Sequence, residues 1–322
     1  MRTLRIIGLL ALLLGFAQVV FGAIVRITGS GMGCGDHWPD CYGSFTPAHN
    51  GANLLVEISH RYGAAALSLA IAALAVVAWV KRRKPGVGGQ GGVLRASLVA
   101  VVLVIVAALF GAVTVKMALY PLVVVTHLAI AMALLAVLVV VVARAGGLGA
   151  LAVAERSGRT YRGAIVAASL TFLALVLGAL TANTPGASAS CQGFPWCTVI
   201  AERGAPLAIQ VWHRIVAFLL FGHIVGLSVG VSKRAEPRPI RAAAWTALTI
   251  VTVQVIVAAA MVEMQLPAIL RSIHQAFGTA LWISVVALAA LATGQRYMTD
   301  MERIVFESPS RGQFATPEGV ST

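Results

Sequence analysis

Eight separate apolar runs of about 20 residues dominate this chain, and each is long enough to cross a hydrocarbon core of ~30 Å as a helix. They read as spans at residues 6–27, 54–80, 94–115, 122–143, 163–182, 207–231, 242–262 and 268–292. Backbone polar groups in lipid must be satisfied within their own segment, so runs of this length are helical. The first run exceeds the apolar stretch of ~7–15 residues found in a cleaved signal peptide, and seven spans follow it, so it reads as an anchor. Composition agrees: 59% of the 322 residues are hydrophobic and only 11% are charged, against roughly 25% charged in soluble domains.

The net charge of +13 is a topology signal, not a nucleic-acid footprint. Of the 24 basic residues, 18 fall on alternate connections: Arg2 and Arg5; Lys81 to Lys84 and Arg95; Arg144, Arg156, Arg159 and Arg162; Lys233, Arg234, Arg238 and Arg241; and Arg296, Arg303 and Arg311. The positive-inside rule makes that side cytoplasmic and puts both termini inside. The Pro- and Gly-containing tail, residues 296–322, is predicted to be disordered.

An internal repeat divides the chain in two. Val56-Glu57-Ile58-Ser59-His60-Arg61 parallels Ile209-Gln210-Val211-Trp212-His213-Arg214 at an offset of 153 residues. His127 parallels His274 at 147, and Cys34 and Cys41 parallel Cys191 and Cys197 at 157 and 156. Each half runs helix, outer loop with two cysteines, helix with His-Arg, helix, short turn, helix with a second His. Four spans is an even number, so the halves share one orientation, related by an axis along the membrane normal. The predicted fold class is therefore an all-α polytopic membrane protein of eight transmembrane helices in two pseudo-symmetric four-helix bundles. Its parts are an N-terminal half (1–145), a cytoplasmic linker (146–162), a C-terminal half (163–295) and the tail.

Four of the seven histidines share one geometry. Pro121, Pro206 and Pro267 sit near helix starts, where proline is tolerated. His127, His213 and His274 follow by six or seven residues, roughly 10 Å below the outer rim at 1.5 Å per residue. His60 lies at similar depth. Two level histidines across a bundle core can bind a haem iron from opposite sides. A single intramembrane histidine is as readily a hydrogen-bonding residue between helices; four at matching repeat positions favour haem. His223 has no repeat partner and reads as structural, and His37 and His49 as ordinary loop residues.

The repeat breaks at Glu57, which shares a helix face with His60 and whose counterpart is Gln210. An intramembrane acid is a functional candidate by default. Glutamine has nearly its shape but exchanges no proton, so only the first half can do acid–base work there. The bland reading is an ion pair with Arg61, four residues on. Arg26, Arg61 and Arg214 are candidate contacts for haem propionates, with interfacial snorkelling as the alternative. Glu263 and Arg271 read as a surface pair. The four cysteines lie in outer loops, where local disulfides are expected; no Cys-x-x-Cys-His motif for covalent haem attachment is present. A redox-active pair is the functional alternative to stapling. The Gly-rich stretch Thr28 to Gly33 lacks the Gly-Lys-Ser/Thr ending of a phosphate loop, and no nucleotide cofactor is indicated.

Taken together, Arg26-Ile27-Thr28-Gly29-Ser30-Gly31-Met32, Trp38-Pro39 within the Cys34 to Cys41 loop, Glu57-x-x-His60-Arg61, His127, Cys191 and Cys197, His213-Arg214 and His274 resemble the haem A synthase (CtaA/Cox15) family, bacterial four-cysteine type. The resemblance covers nearly all of residues 1–295. It implies oxidation of the C8 methyl of haem O to a formyl group through hydroxylated intermediates, giving haem A for a terminal oxidase. It implies one haem b in the C-terminal half on His213 and His274, and haem O as substrate in the N-terminal half on His60 and His127, with Glu57 as the essential acid. It also implies a multi-pass protein of the bacterial plasma membrane with haem sites toward the outer face. A haem O-forming farnesyltransferase and terminal oxidase assembly factors are implied as partners. The rival readings are a dihaem b-type electron carrier, which gives no reason for Glu57 to differ from Gln210, a membrane thiol oxidoreductase, and a repeat-built transporter.

Overall fold

A computed structural model describes residues 1–45, 51–148 and 158–307, with the backbone alone described from residue 293. His49, much of the linker and the end of the tail lie outside the described residues. The helices are α1 (Arg2–Ile27), α2 (Ala52–Val80), α3 (Val93–Lys116), α4 (Pro121–Arg144), α5 (Gly158–Asn183), α6 (Ala205–Lys233), α7 (Arg238–Glu263) and α8 (Ala268–Glu307). All eight are long and apolar enough to span a membrane, and they reproduce the eight predicted spans, with α8 continuing beyond residue 292 to Glu307. A short 3-10 turn (Ala187–Ala189) and a two-stranded antiparallel ribbon, β1 (Cys191–Gln192) with β2 (Val199–Ile200), form the loop before α6.

Helix contacts follow the repeat. In the first half α1 packs on α2 and α4, and α3 on α2 and α4; in the second, α5 packs on α6 and α8, and α7 on α6 and α8. The halves meet through α4 and α8, flanked by α1 against α8 and α4 against α5. One buried cluster joins Leu4, Ala11, Ile71, Leu74, Val93, Ala100 and Leu138 inside the first half. A larger one runs from Met132 and Leu135 of α4 into Ile224, Val251, Trp282 and Val285 of the second half. There the Trp282 indole N–H donates to the Met132 carbonyl at 2.8 Å, closing the seam with a directed bond. Large apolar side chains remain exposed on the outer faces, including Leu69 at 72% and Ile269 at 70%. Water would penalise that surface, and lipid does not.

The turns are repeated as well. Ala118 and Leu119 between α3 and α4, and Gln265 and Leu266 between α7 and α8, all have positive φ. The Leu119 N–H bonds back to Thr114 O and the Leu266 N–H to Met261 O, each at 2.8 Å, so the same left-handed closure ends both helices and satisfies their last carbonyls. Proline in the first turn of α4, and Pro267 immediately before α8, then start the next helices without losing a bond. These tight connections hold the histidines of α4 and α8 at a fixed depth.

Candidate functional site

Each half forms the greater part of a partly open cavity, and each cavity is lined by that half's two histidines. In the first half a cavity of about 620 Å³ is lined by His60 and His127, together with Glu57, Arg61, Arg26, Trp38 and Cys41. In the second a smaller one, about 200 Å³, is lined by His213 and His274, with Gln210, Arg214, Gln254, Arg271 and again Arg26. The remaining walls are largely Ala, Leu, Val and Gly, which suits a flat apolar ligand with a polar edge.

The histidines are held by neighbouring helices. His213 Nδ1 lies 3.0 Å from the Ala174 carbonyl of α5, which can only accept, so Nδ1 carries the proton and Nε2 keeps its lone pair. Gln254 Nε2 of α7 approaches His274 Nε2 at 3.3 Å. In the first half Gln18 Nε2 of α1 lies 3.0 Å from His60 Nδ1 and 3.3 Å from His60 Nε2, and donates to the His60 carbonyl at 2.8 Å. His127 Nδ1 and His274 Nδ1 are buried without a hydrogen-bond partner. Two glycines make the seats: a Cβ on Gly22 would come within 3.1 Å of His60 Cε1, and one on Gly178 within 2.9 Å of His213 Cε1. Sequence reasoning missed Gln18, Gln254, Gly22 and Gly178. The repeat carries a signal for the glycines, because Gly22 and Gly178 share the 156-residue offset of Cys41 and Cys197.

Glu57 and Gln210 hold the same backbone feature. Both are buried. Glu57 Oε2 accepts the Cys34 N–H at 2.8 Å, and Gln210 Oε1 accepts the Cys191 N–H at 2.6 Å. Glu57 Oε1 pairs with Arg61 Nη2 at 2.5 Å, the ion pair anticipated from the four-residue spacing. Gln210 replaces that pair with donations from Nε2 to the carbonyls of Ser188 at 3.1 Å and Cys191 at 3.4 Å.

The arginines anticipated as propionate contacts divide into two kinds. Arg61 donates to the carbonyls of His37, Pro39 and Asp40. Arg214 donates to those of Cys191, Gly193 and Pro195. Each clamps its half's cysteine loop over the cavity. Arg26 makes one bond, from Nη1 to Ala182 O across the seam between halves at 3.1 Å. Among the described residues Arg271 makes no ion pair with Glu263 or any other acid; it lines the second cavity instead.

Both expected disulfides are present, Cys34–Cys41 and Cys191–Cys197. Cys34, Cys41 and Cys191 are buried within their loops. His223 Nε2 meets the Gly163 carbonyl at 2.8 Å, a helix-to-helix tie that matches its structural reading. His37 stacks loosely on Tyr42 within the first loop.

Two imidazoles per cavity do not hold a bare ion. Among the described residues no group of three or more His, Cys, Asp or Glu side chains could do so. They do suit a metal that brings its other ligands with it in a macrocycle. The buried unpartnered Nδ1 atoms and the glycine seats beside the rings fit such a group.

The family comparison is consistent with this geometry. Residues 5–286 match the model of the COX15-CtaA family, described as cytochrome oxidase assembly protein. Curated relatives include proteins named heme A synthase from Bacillus cereus (strain G9842), Bacillus cereus (strain AH187) and Bacillus anthracis (strain CDC 684), each 25% identical over 303 residues, covering 89% of this chain and 90% of the relative. With one histidine pair, one disulfide loop and one cavity in each of two repeated halves, and the family's model matched over nearly its whole length, the chain belongs to the COX15-CtaA family.

Proposed function

We propose that this protein is a haem A synthase, an oxidoreductase that converts the C8 methyl of haem O to the formyl group of haem A. The observation that carries the reading is the pairing of one large and one small histidine-lined cavity, with an ionisable acid only in the large one. His60 and His127 would face the substrate, haem O. His213 and His274 would hold a resident haem b, which supplies one-electron redox chemistry when bound. The size difference supports the assignment, since haem O carries a farnesyl-derived tail that haem b lacks.

Methyl-to-formyl oxidation releases protons, so the reacting site needs an acceptor. Glu57 supplies it: a carboxylate on the cavity wall, on the His60 face of α2, steadied by the Cys34 N–H and Arg61. General acid–base help of this kind contributes typically 10²–10⁴-fold. Gln210 at the matching place takes no proton, in keeping with a half that only holds a cofactor. The disulfide-stapled loops over both cavities would limit water at the porphyrin edge. The charge pattern along the sequence supports a topology in which these loops, and both cavities, lie toward the outer face of a bacterial plasma membrane, with the termini inside. A haem O-forming enzyme and terminal oxidase assembly would be the natural donor and recipient.

A dihaem electron carrier accounts for four histidines but leaves the acid and the threefold difference in cavity size without a purpose. The test is pigment extraction from protein produced with and without a haem O supply. Haem A or a hydroxylated intermediate that appears only with haem O supports the synthase. Haem b alone, at two per chain under both conditions, overturns it.

A further inference from the structure

The two halves support their histidines with different atoms, and the difference is exchanged between helices. At the repeat offset of 156, Gln18 of α1 corresponds to Ala174 of α5; at 147, Ala107 of α3 corresponds to Gln254 of α7. Each half therefore has one glutamine facing one histidine. In the first half it faces the α2 histidine, His60; in the second it faces the α8 histidine, His274. The other histidine of the second half, His213, meets a backbone carbonyl. In the first half His127 Nδ1 is buried without a hydrogen-bond partner.

A glycine matches each glutamine. A Cβ on Gly63 would sit 2.4 Å from Gln18 Oε1, and the corresponding residue of the second half is Val216. A Cβ on Gly278 would sit 3.4 Å from Gln254 Nε2, and its counterpart in the first half is Ala131. Where a half has no glutamine, a larger residue fills the place. The amides are built-in packing features of their helices.

The two kinds of partner do opposite things to a metal ligand. A carbonyl accepting from Nδ1–H fixes the tautomer whose Nε2 lone pair is free, the arrangement that orients ligating histidines. An amide N–H can only donate. If His60 Nδ1 receives it, the ring proton is on Nε2, which then has no lone pair to offer. If Nε2 receives it, that lone pair is already used. Either way His60 Nε2 is withheld. Gln18 is also pinned by its bond to the His60 carbonyl and by its seat on Gly63. Gln254 meets His274 Nε2 at 3.3 Å, so the free Nε2 of the second half belongs to His213, the counterpart of His60, whose Nδ1–H is taken by the Ala174 carbonyl.

We propose that Gln18 is a positioning residue that keeps His60 a weak, reversible ligand, so that the first cavity holds its haem chiefly through His127 and can release it. This rests on the haem A synthase reading and deepens it: a substrate site must exchange its haem, and a cofactor site must not. It would also leave the α2 side of the cavity, where Glu57 lies, open to water or substrate.

The experiment uses the full-length protein purified in detergent, with the haem b content and spectrum of the second half as the check that it is folded. Ferric protohaem is titrated into the first half and followed by difference absorption and electron paramagnetic resonance. Gln18→Leu frees His60. It is expected to bind protohaem about fivefold more tightly, the scale of one lost competing hydrogen bond, and to shift the added haem toward a six-coordinate low-spin signal. Gln18→Leu/His60→Ala is expected to lose both gains. Gln18→Ala takes the place of the leucine variant if that one loads no haem b. Affinity and spin state equal to the parent protein, or gains that persist without His60, overturn the role of Gln18. Protein that never carries haem b or forms haem A would overturn the synthase reading instead.

Discussion

Glu57 Oε2 accepts the backbone N–H of Cys34 at 2.8 Å. Gln210 accepts the N–H of Cys191 in the same way, so the second half already displays what a glutamine does at this place. It keeps the loop docked, and its Arg214 keeps three carbonyl partners with no salt bridge to an acid among the described residues. The loop-holding and proton-handling roles of Glu57 can therefore be separated by experiment.

Glu57→Gln is expected to fold with its disulfide loop intact and to lose product by about a hundredfold or more. Glu57→Ala is expected to do worse in stability as well, because the Cys34 N–H is left unpaired at a cost of ~1–3 kcal/mol. Haem A yield from extracted pigment and thermal unfolding in detergent separate the two. A Glu57→Gln protein with the parent's haem A yield would remove this carboxylate from the chemistry and leave it only the loop.

His213 and His274 line the second cavity together. His213→Ala and His274→Ala are expected to lower haem b per chain by more than half, while His60→Ala is expected to leave it unchanged. The pyridine haemochrome assay on purified protein reads this directly. Equal depletion by all three substitutions would mean that the halves are not independent haem sites.

Much of this was legible in the sequence, for definable reasons. Span limits follow from a single contrast, apolar against charged, that varies along the chain, and helices such as α3 and α4 begin and end within a residue of the predicted spans. The histidine pairs were legible because the repeat doubled a weak signal. The true work of Arg61 was not, since its carbonyl partners His37, Pro39 and Asp40 come from a loop more than twenty residues away whose path no local pattern fixes. Gln18 was hidden for another reason. One amide inside an apolar helix carries no periodicity, and it gains meaning only when Gly63 and the His60 ring are seen around it.

The glycine seats give a test of ring placement. Gly178→Ala puts a methyl 2.9 Å from His213 Cε1, closer than packing tolerates. It is expected to cost ~1–3 kcal/mol and to reduce or spectrally shift the resident haem b. Gly222→Ala, also on α6's half but with nothing within 4 Å of the added methyl, is expected to be silent. Identical spectra for all three proteins would show that His213 does not need this seat.

The remaining prediction concerns where acidic substituents of the resident group are held. Arg61 and Arg214 are occupied with loop carbonyls, which leaves Arg26 and Arg271 as the cations of the second cavity without an acid partner among the described residues. Both guanidiniums line that one cavity. Two like charges stay together at lowest cost when an anion lies between them, and haem propionates are such anions. Removing a nearby positive charge favours the oxidised, more positive form of a haem. Arg26→Gln and Arg271→Gln are therefore each expected to lower the reduction potential of the resident haem b by about 30–60 mV, up to a tenfold change in a one-electron equilibrium. Arg214→Gln is expected to act differently, speeding amide hydrogen exchange in residues 191–200 as its carbonyl clamp is lost. Redox titration and hydrogen exchange on the same preparations distinguish the two kinds of arginine. An unchanged potential in Arg271→Gln, with haem b fully loaded, would show that this guanidinium does not face the propionates.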